Sequence, residues 1–64
     1  MIENLKRIRE KHGITQEGMA KFLGYKYKSG YNNIETGKRK LDLETAKKIA
    51  DIFNIKIDDL FFKK

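Results

Sequence analysis

The chain has 64 residues, and 15 Lys and Arg against 9 Asp and Glu give it a formal net charge of +6 at pH 7. This length fits one small domain, residues 1–64, which buries too little surface to form a deep enzyme cleft. The absence of Cys excludes disulfides and thiolate metal sites. No apolar run approaches the ~20 residues that cross a membrane, and the positive charge favours an acidic partner, nucleic acid first.

The positive charge is concentrated in the middle of the chain. Residues 25–41 hold five basic residues against one acidic residue, whereas residues 42–64 hold five of each. A Lys-rich stretch is often no more than a solvated surface, so the charge alone leaves that interpretation open. The residues around this basic stretch are therefore needed to distinguish a solvated loop from a binding surface.

Apolar residues at helical spacing predict an all-α fold with five short helices. The first helix has one apolar stripe and ends at Gly13. The stripe consists of Ile2, Leu5 and Ile8. The second helix follows Thr15, whose hydroxyl can accept a hydrogen bond from a free backbone N–H, and it ends at Gly24. Its inner face comprises Met19, Ala20 and Leu23.

The third predicted helix runs from about Ser29 to Thr36 and stops at Gly37, after a turn that contains two tyrosines. Tyr31 and Ile34 share one side of this helix and should anchor it to the core. The opposite side, which we call the polar face, is small and uncharged. It consists of Ser29, Asn32, Asn33 and Thr36.

A fourth helix is predicted over residues 43–53, with Asp42 as its cap and Asn54 at its end. Its apolar face comprises Leu43, Ala46, Ile49, Ala50 and Phe53. A last short helix is predicted around Ile57, Leu60 and Phe61. Five short helices cannot each bury much surface, so the core has to be shared among all of them.

Two runs of the sequence, TQEGMAKFLG at 15–24 and YNNIETGKR at 31–39, resemble the helix-turn-helix of the Cro and phage-repressor family, also called the xenobiotic-response-element type. Residues 7–14 are similar to the family's first helix, and residues 43–61 to its last two. The resemblance implies a compact, five-helix lambda-repressor-like domain that binds double-stranded DNA sequence-specifically, with the third helix in the major groove. One departure is the turn, where nine residues separate Gly24 from Ile34 and the family commonly has eight.

The candidate base contacts lie on the polar face. Asn can donate to N7 and accept from N6 of adenine, and Ser or Thr can pair with several base edges. Lys28, at the helix start, can reach a guanine or a phosphate. The family places a phosphate-contacting Gln where Gln16 stands, at a helix start whose free N–H groups favour an anion. The remaining candidates for phosphate contact are Lys26, Tyr27, Lys38, Arg39 and Lys40.

Glu35 projects near the Tyr31 side of the third helix rather than on the polar face. In the family the Glu at this place pairs with an Arg of the first helix, and Arg9 matches that position. We therefore expect a partly buried Arg9–Glu35 ion pair. The alternative, in which Glu35 accepts a hydrogen bond from cytosine, is weaker on geometry.

No cofactor, metal or catalytic activity is expected. His12 is the only His, and a metal site needs three or four converging ligands. Ser29 has no plausible His–Asp arrangement for nucleophilic catalysis. Phe22, Phe61 and Phe62 either cover the edges of the core or form a dimer contact. Because one short recognition helix discriminates poorly, we expect a homodimer, at least on DNA, or attachment to a longer chain.

The most concrete function is therefore a DNA-binding transcriptional regulator, a cytoplasmic, nucleoid-associated repressor of phage or mobile-element type. Two alternatives stay open at this point. An antitoxin-like protein-interaction module would carry a further disordered segment that wraps its partner. A membrane-surface or RNA binder would use the Lys-rich face, with Tyr25 and Tyr27 as the candidates for stacking on RNA bases.

Overall fold

The computed structural model describes residues 3–61, which form five α-helices joined by short loops. The helices are α1 Glu3–Lys11, α2 Gln16–Phe22, α3 Lys28–Thr36, α4 Leu43–Phe53 and α5 Ile57–Phe61. The described residues contain no strand, and none of their helices is long and apolar enough to cross a membrane. The all-α prediction is confirmed. The predicted roles of Ile2 and Phe62 fall on positions outside the described residues.

Side-chain caps begin two of the helices at the predicted positions. The Thr15 hydroxyl accepts a hydrogen bond from the Gly18 amide at 3.0 Å at the start of α2. The Asp42 carboxylate accepts from the Thr45 amide at 2.7 Å at the start of α4. Each cap satisfies a backbone N–H that the helix leaves unpaired, which typically contributes about 1 kcal/mol.

The third helix begins one residue earlier than the sequence predicted, at Lys28 rather than Ser29. The reason is a backbone hydrogen bond of 3.0 Å from the Gly30 amide to the carbonyl of Tyr27, which already closes a helical turn. No side chain caps this start. The helix ends as predicted at Gly37, whose φ of 84° is a left-handed conformation that glycine adopts without steric cost.

Each of the five helices contributes to one hydrophobic core. Its buried members are Leu5, Met19, Ala20, Tyr31, Ile34, Ala46, Ile49, Ala50, Phe53 and Leu60. One core prediction was wrong, because Leu43 is 67% exposed. Leu43 is the first residue of α4, one turn before Ala46, so its side chain lies at the end of the apolar face rather than within it.

The packing of the helices leaves one side of α3 uncovered. α2 packs against α3, α1 contacts α3 and α5, and α5 also contacts α4. Tyr31, Ile34 and Glu35 are the buried residues of α3. The helix is therefore held by its apolar side, while the polar face points away from the core.

Candidate nucleic-acid interface

The polar face of α3 is accessible from solvent. Ser29 and Thr36 are exposed, and Asn32 and Asn33 are half-buried, whereas Tyr31 is 0% and Ile34 is 1% exposed. The face carries donors and acceptors but no charge, so desolvating it against base edges costs less than desolvating charged side chains.

Two residues of this face differ in how many polar atoms they can offer. The Asn33 side-chain amide makes no hydrogen bond to any residue from 3 to 61, so its donor and acceptor are both available. The Thr36 hydroxyl donates to the carbonyl of Asn32 at 3.1 Å, so only its acceptor lone pairs are available. Asn33 is therefore the stronger candidate for reading a base.

Asn32 is connected to the protein interior by three other side chains. Together the four side chains form a hydrogen-bonded series that we call the amide relay: Arg9, Glu35, Gln16 and Asn32. Arg9 Nε lies 2.5 Å from Glu35 Oε2. Gln16 Nε2 donates to Glu35 Oε1 at 3.0 Å, and Asn32 Nδ2 donates to Gln16 Oε1 at 3.1 Å. The relay links α1, α2 and α3 and ends on the polar face.

The relay begins with a buried ion pair, which confirms the prediction for Arg9 and Glu35. The two residues are only 8% and 4% exposed. A second guanidinium nitrogen of Arg9 lies 3.3 Å from Glu35 Oε1, and a third donates to the carbonyl of Ile14 at 2.8 Å. Both carboxylate oxygens of Glu35 are therefore occupied within the protein, which argues against the alternative that Glu35 reads cytosine.

The surroundings of Glu35 keep its carboxylate ionised. Burial alone would raise the pKa of Glu35, but the hydrogen bond from Arg9, the nearby Tyr31 hydroxyl and the hydrogen bond from Gln16 together lower it below the usual value. Burial raises the pKa of Tyr31, and the Glu35 carboxylate raises it further. The buried Tyr31 hydroxyl makes no hydrogen bond of good geometry to a described residue, so it acts on the Glu35 carboxylate by electrostatic proximity.

Cationic side chains lie before and after α3. Lys26 and Lys28 are exposed at its start, and Lys26 Nζ lies 5.6 Å from the ring centroid of Tyr27, which is 66% exposed. The loop after α3 exposes three more cations in sequence. These are Lys38, Arg39 and Lys40. The polar face is thus flanked along the chain by groups that can neutralise phosphates.

Tyr25 contacts both α3 and the loop after it, a role that was not predicted from the sequence. The Arg39 guanidinium lies 5.1 Å from the centroid of the Tyr25 ring, a distance typical of a cation–π contact. The Arg39 amide also donates to the carbonyl of Asn33 at 2.9 Å. The same ring approaches Gly30 so closely that a Cβ there would lie 2.9 Å from Tyr25 Cγ. The sequence signal for this contact was Gly30 itself, because a glycine inside a predicted helix costs about 1 kcal/mol against Ala.

Gln16 lines an open groove of about 420 Å³ at the start of α2, together with Arg9, Thr15, Glu17 and Lys28. One N–H of the Gln16 amide is used by Glu35, and the second is available to an anion in the groove. Lys28 adds a positive charge to the groove. No group of three or more His, Asp or Glu that could hold a metal occurs in the described part of the chain.

A family model described as helix-turn-helix (HTH_3) matches residues 5–60 of the chain. The chain belongs to this helix-turn-helix family, the Cro and phage-repressor type. An HTH-type transcriptional regulator of Methanocaldococcus jannaschii is 43% identical over 61 residues, which cover 95% of this chain and 91% of that protein. One from Archaeoglobus fulgidus is 39% identical over 61 residues, which cover 95% and 86%.

A third relative in the helix-turn-helix family is the SPbeta prophage-derived HTH-type transcriptional regulator YonR of Bacillus subtilis. It is 40% identical over 58 residues, which cover 91% of this chain. The chain spans only 53% of the length of that protein. Family membership confirms the predicted resemblance and supports a DNA-binding regulator as the class of function.

Gly30→Ala is expected to destabilise the domain by about 1–3 kcal/mol, although alanine is the better helix former. The added methyl would meet Tyr25 at Cγ and Cβ, the stiff base of the side chain, so α3 or the ring must shift. Urea unfolding monitored by circular dichroism measures the change.

Gly18→Ala in α2 is the matched control for this substitution. Its Cβ would lie 3.3 Å from Ile14 Cγ2 and Thr15 Oγ1, a contact that a shift of a few tenths of an ångström relieves. We expect Gly18→Ala to cost less than Gly30→Ala, because it meets the ends of two side chains rather than the base of one. Equal stability of the two variants would contradict close packing of Tyr25 on Gly30.

Proposed function

We propose that the chain is a sequence-specific double-stranded DNA-binding transcriptional regulator, a cytoplasmic, nucleoid-associated repressor of phage or mobile-element type. The observation that carries the proposal is the polar face of α3, which is uncharged, accessible and flanked by cations. The helix has nine residues, which corresponds to a length of about 13 Å. An α-helix with its side chains is about 10–12 Å in diameter, and the major groove, about 12 Å wide, admits it. The prophage origin of one relative supports the phage or mobile-element type.

The proposed contacts divide into two classes with different consequences. Ser29, Asn32, Asn33 and Thr36 would face base edges. Gln16, Lys26, Tyr27, Lys38, Arg39 and Lys40 would contact the backbone, and Lys28 either a phosphate or a guanine. Backbone contacts fix the position of the protein on the duplex, whereas base contacts carry the sequence information.

We propose that the protein binds DNA as a homodimer. One α3 spans few base pairs, so a single copy would discriminate poorly among sequences. The longest dimension of the domain is 31 Å, close to the 34–36 Å that separate half-sites one turn apart. Phe22 is 65% and Phe61 is 45% exposed, and these apolar side chains are candidates for the contact between copies.

Selection of bound sites from a pool of random duplexes tests the proposal directly. We expect a two-fold symmetric site and a stoichiometry of two chains for each selected duplex. The selected site should be bound at least 10³-fold more tightly than random duplex. Binding that prefers no duplex over heparin would contradict the proposal. A single preferred half-site bound by one chain would contradict the dimer alone.

Asn33→Ala is expected to relax sequence preference while leaving non-specific binding intact. The side-chain amide of Asn33 is free to pair with a base, and a good bidentate pair discriminates by about 1–3 kcal/mol. The measurement is the affinity of wild type and variant for the selected site and for random duplex at one salt concentration. An equal loss on both duplexes would remove Asn33 from base reading.

A further inference from the structure

The amide relay fixes which atoms Asn32 can present to DNA. We infer that Glu35, acting through Gln16, orients the Asn32 amide so that it selects adenine in the major groove. The inference rests on the proposed function, because it concerns the base pair that α3 would place opposite Asn32. Gln16 is then a positioning residue for sequence recognition in addition to its proposed contact with phosphate.

The first step is set by the charge of Glu35. An ionised carboxylate has no donor and can only accept hydrogen bonds. Glu35 is 4% exposed and is held by Arg9, so its Oε1 presents a fixed acceptor to α2. Gln16 therefore turns its Nε2 toward Glu35, at 3.0 Å, and its Oε1 points away from the ion pair.

In the second step, the orientation of the Gln16 amide fixes the orientation of the Asn32 amide on the polar face. Gln16 Oε1 can only accept, so Asn32 has to turn its Nδ2 toward it, at 3.1 Å. The Asn32 amide keeps its Oδ1 and one N–H for another partner. A 180° rotation of the amide would place Oδ1 against Gln16 Oε1 and is disfavoured because two acceptors would meet.

The Oδ1 and the second N–H of the Asn32 amide complement adenine better than the other bases. Adenine offers an acceptor at N7 and a donor at N6, which complement one N–H and one carbonyl oxygen. Guanine offers two acceptors in the same places, N7 and O6. The fixed Oδ1 of Asn32 would therefore face O6, and two acceptors would meet. Asn33 has no such connection to the interior within residues 3–61, so its amide can rotate to suit its partner.

The test compares the base preference of the wild type with that of Gln16→Met, which keeps the side-chain length and removes both polar atoms. The base pair opposite Asn32 is first located as the one whose preference Asn32→Ala abolishes in the selected site. Four duplexes that differ at this pair are then titrated. We expect Gln16→Met to reduce the preference for adenine about threefold to tenfold. In the Asn32→Ala background Gln16→Met should change no preference.

The matched control is Lys28→Met, which alters another residue that lines the same groove and is expected to weaken binding to all four duplexes equally. If Gln16→Met also weakens all four equally, in both backgrounds, Gln16 contacts phosphate only and the inference is overturned. A wild type without preference for any duplex would instead contradict the proposed function. The two failures are therefore distinguishable.

A measurement on the unmodified protein guards against variants that do not fold. In the free wild-type chain, the side-chain amide protons of Asn32 should exchange with solvent several-fold more slowly than those of Asn33, because one of them is bonded to Gln16. Equal exchange of the two side chains would overturn the inference without any substitution.

Discussion

Glu35→Ala is expected to lower the free energy of unfolding by about 3–5 kcal/mol, the usual cost of removing one partner of a buried ion pair. Arg9, which is only 8% exposed in the wild type, would keep its positive charge with no carboxylate beside it. Gln16 would also lose the acceptor that orients its amide. A domain of this size is stabilised by only about 3–10 kcal/mol in total, so the variant should lose much of its stability before its sequence preference changes.

Glu44→Ala is the matched control, because Glu44 also forms an ion pair but at the surface. Glu44 Oε1 lies 3.8 Å from Lys48 Nζ, and its side chain is 83% exposed. Exposed pairs of this kind contribute about 0.3–0.5 kcal/mol, so thermal unfolding should hardly change. An unchanged melting temperature for Glu35→Ala, together with an altered site preference, would assign Glu35 to base reading instead.

The same ion pair predicts a direction for the pH dependence of stability. The pKa of Glu35 is lower in the folded chain than in the unfolded chain, where a Glu titrates near 4.3. The stabilisation from its ionised form is therefore complete above about pH 4.3 and is lost as the pH falls through the lower folded-state value. Unfolding measured between pH 3 and 6 should show a larger loss in the wild type than in Glu35→Ala, where the Asp42 cap, whose pKa is also lowered by its hydrogen bonds from Thr45, still titrates.

The helices could be predicted from the sequence because their ends are encoded locally. Thr15 and Asp42 cap the helices that follow them, and Gly37 and Asn54 end theirs in left-handed conformations with φ of 84° and 56°. The start of α3 was missed by one residue because it depends on a backbone hydrogen bond and not on a capping side chain. The exposure of Leu43 was missed because periodicity gives the side of a helix and not how far its neighbours extend.

The candidate site was predictable in part. Helical geometry was enough to separate the polar face from Tyr31 and Ile34, and the family resemblance indicated the partner of Glu35. The link from Gln16 to Asn32 was not predictable, because it joins residues 16 positions apart whose separation depends on how α2 packs against α3. The contact of Tyr25 with Arg39 depends in the same way on two loops that meet only in the folded domain.

Replacing Lys38, Arg39 and Lys40 together by alanine is expected to weaken binding to every duplex about 10²-fold at 0.1 M salt. All three side chains are exposed in the loop after α3, and at least two should contact phosphates. Each lost contact reduces the slope of log K against log salt concentration by about 0.9, which corresponds to about 0.9 log units of affinity at 0.1 M salt. Titrations at several salt concentrations measure both quantities.

The matched control removes the same charge elsewhere, by replacing Lys11, Lys47 and Lys56 with alanine. These side chains are exposed on α1, on α4 and just before α5, and either triple variant has a formal net charge lower by three than that of the wild type. If net charge alone attracts DNA, both triple variants should lose affinity equally. If phosphates bind beside α3, only the Lys38, Arg39 and Lys40 variant should lose about two units from the slope of log K against log salt concentration. The reason is that the number of counterions released depends on local phosphate contacts and not on total charge. The ratio of affinities for selected and random duplex should stay the same in both, since backbone contacts carry no sequence information.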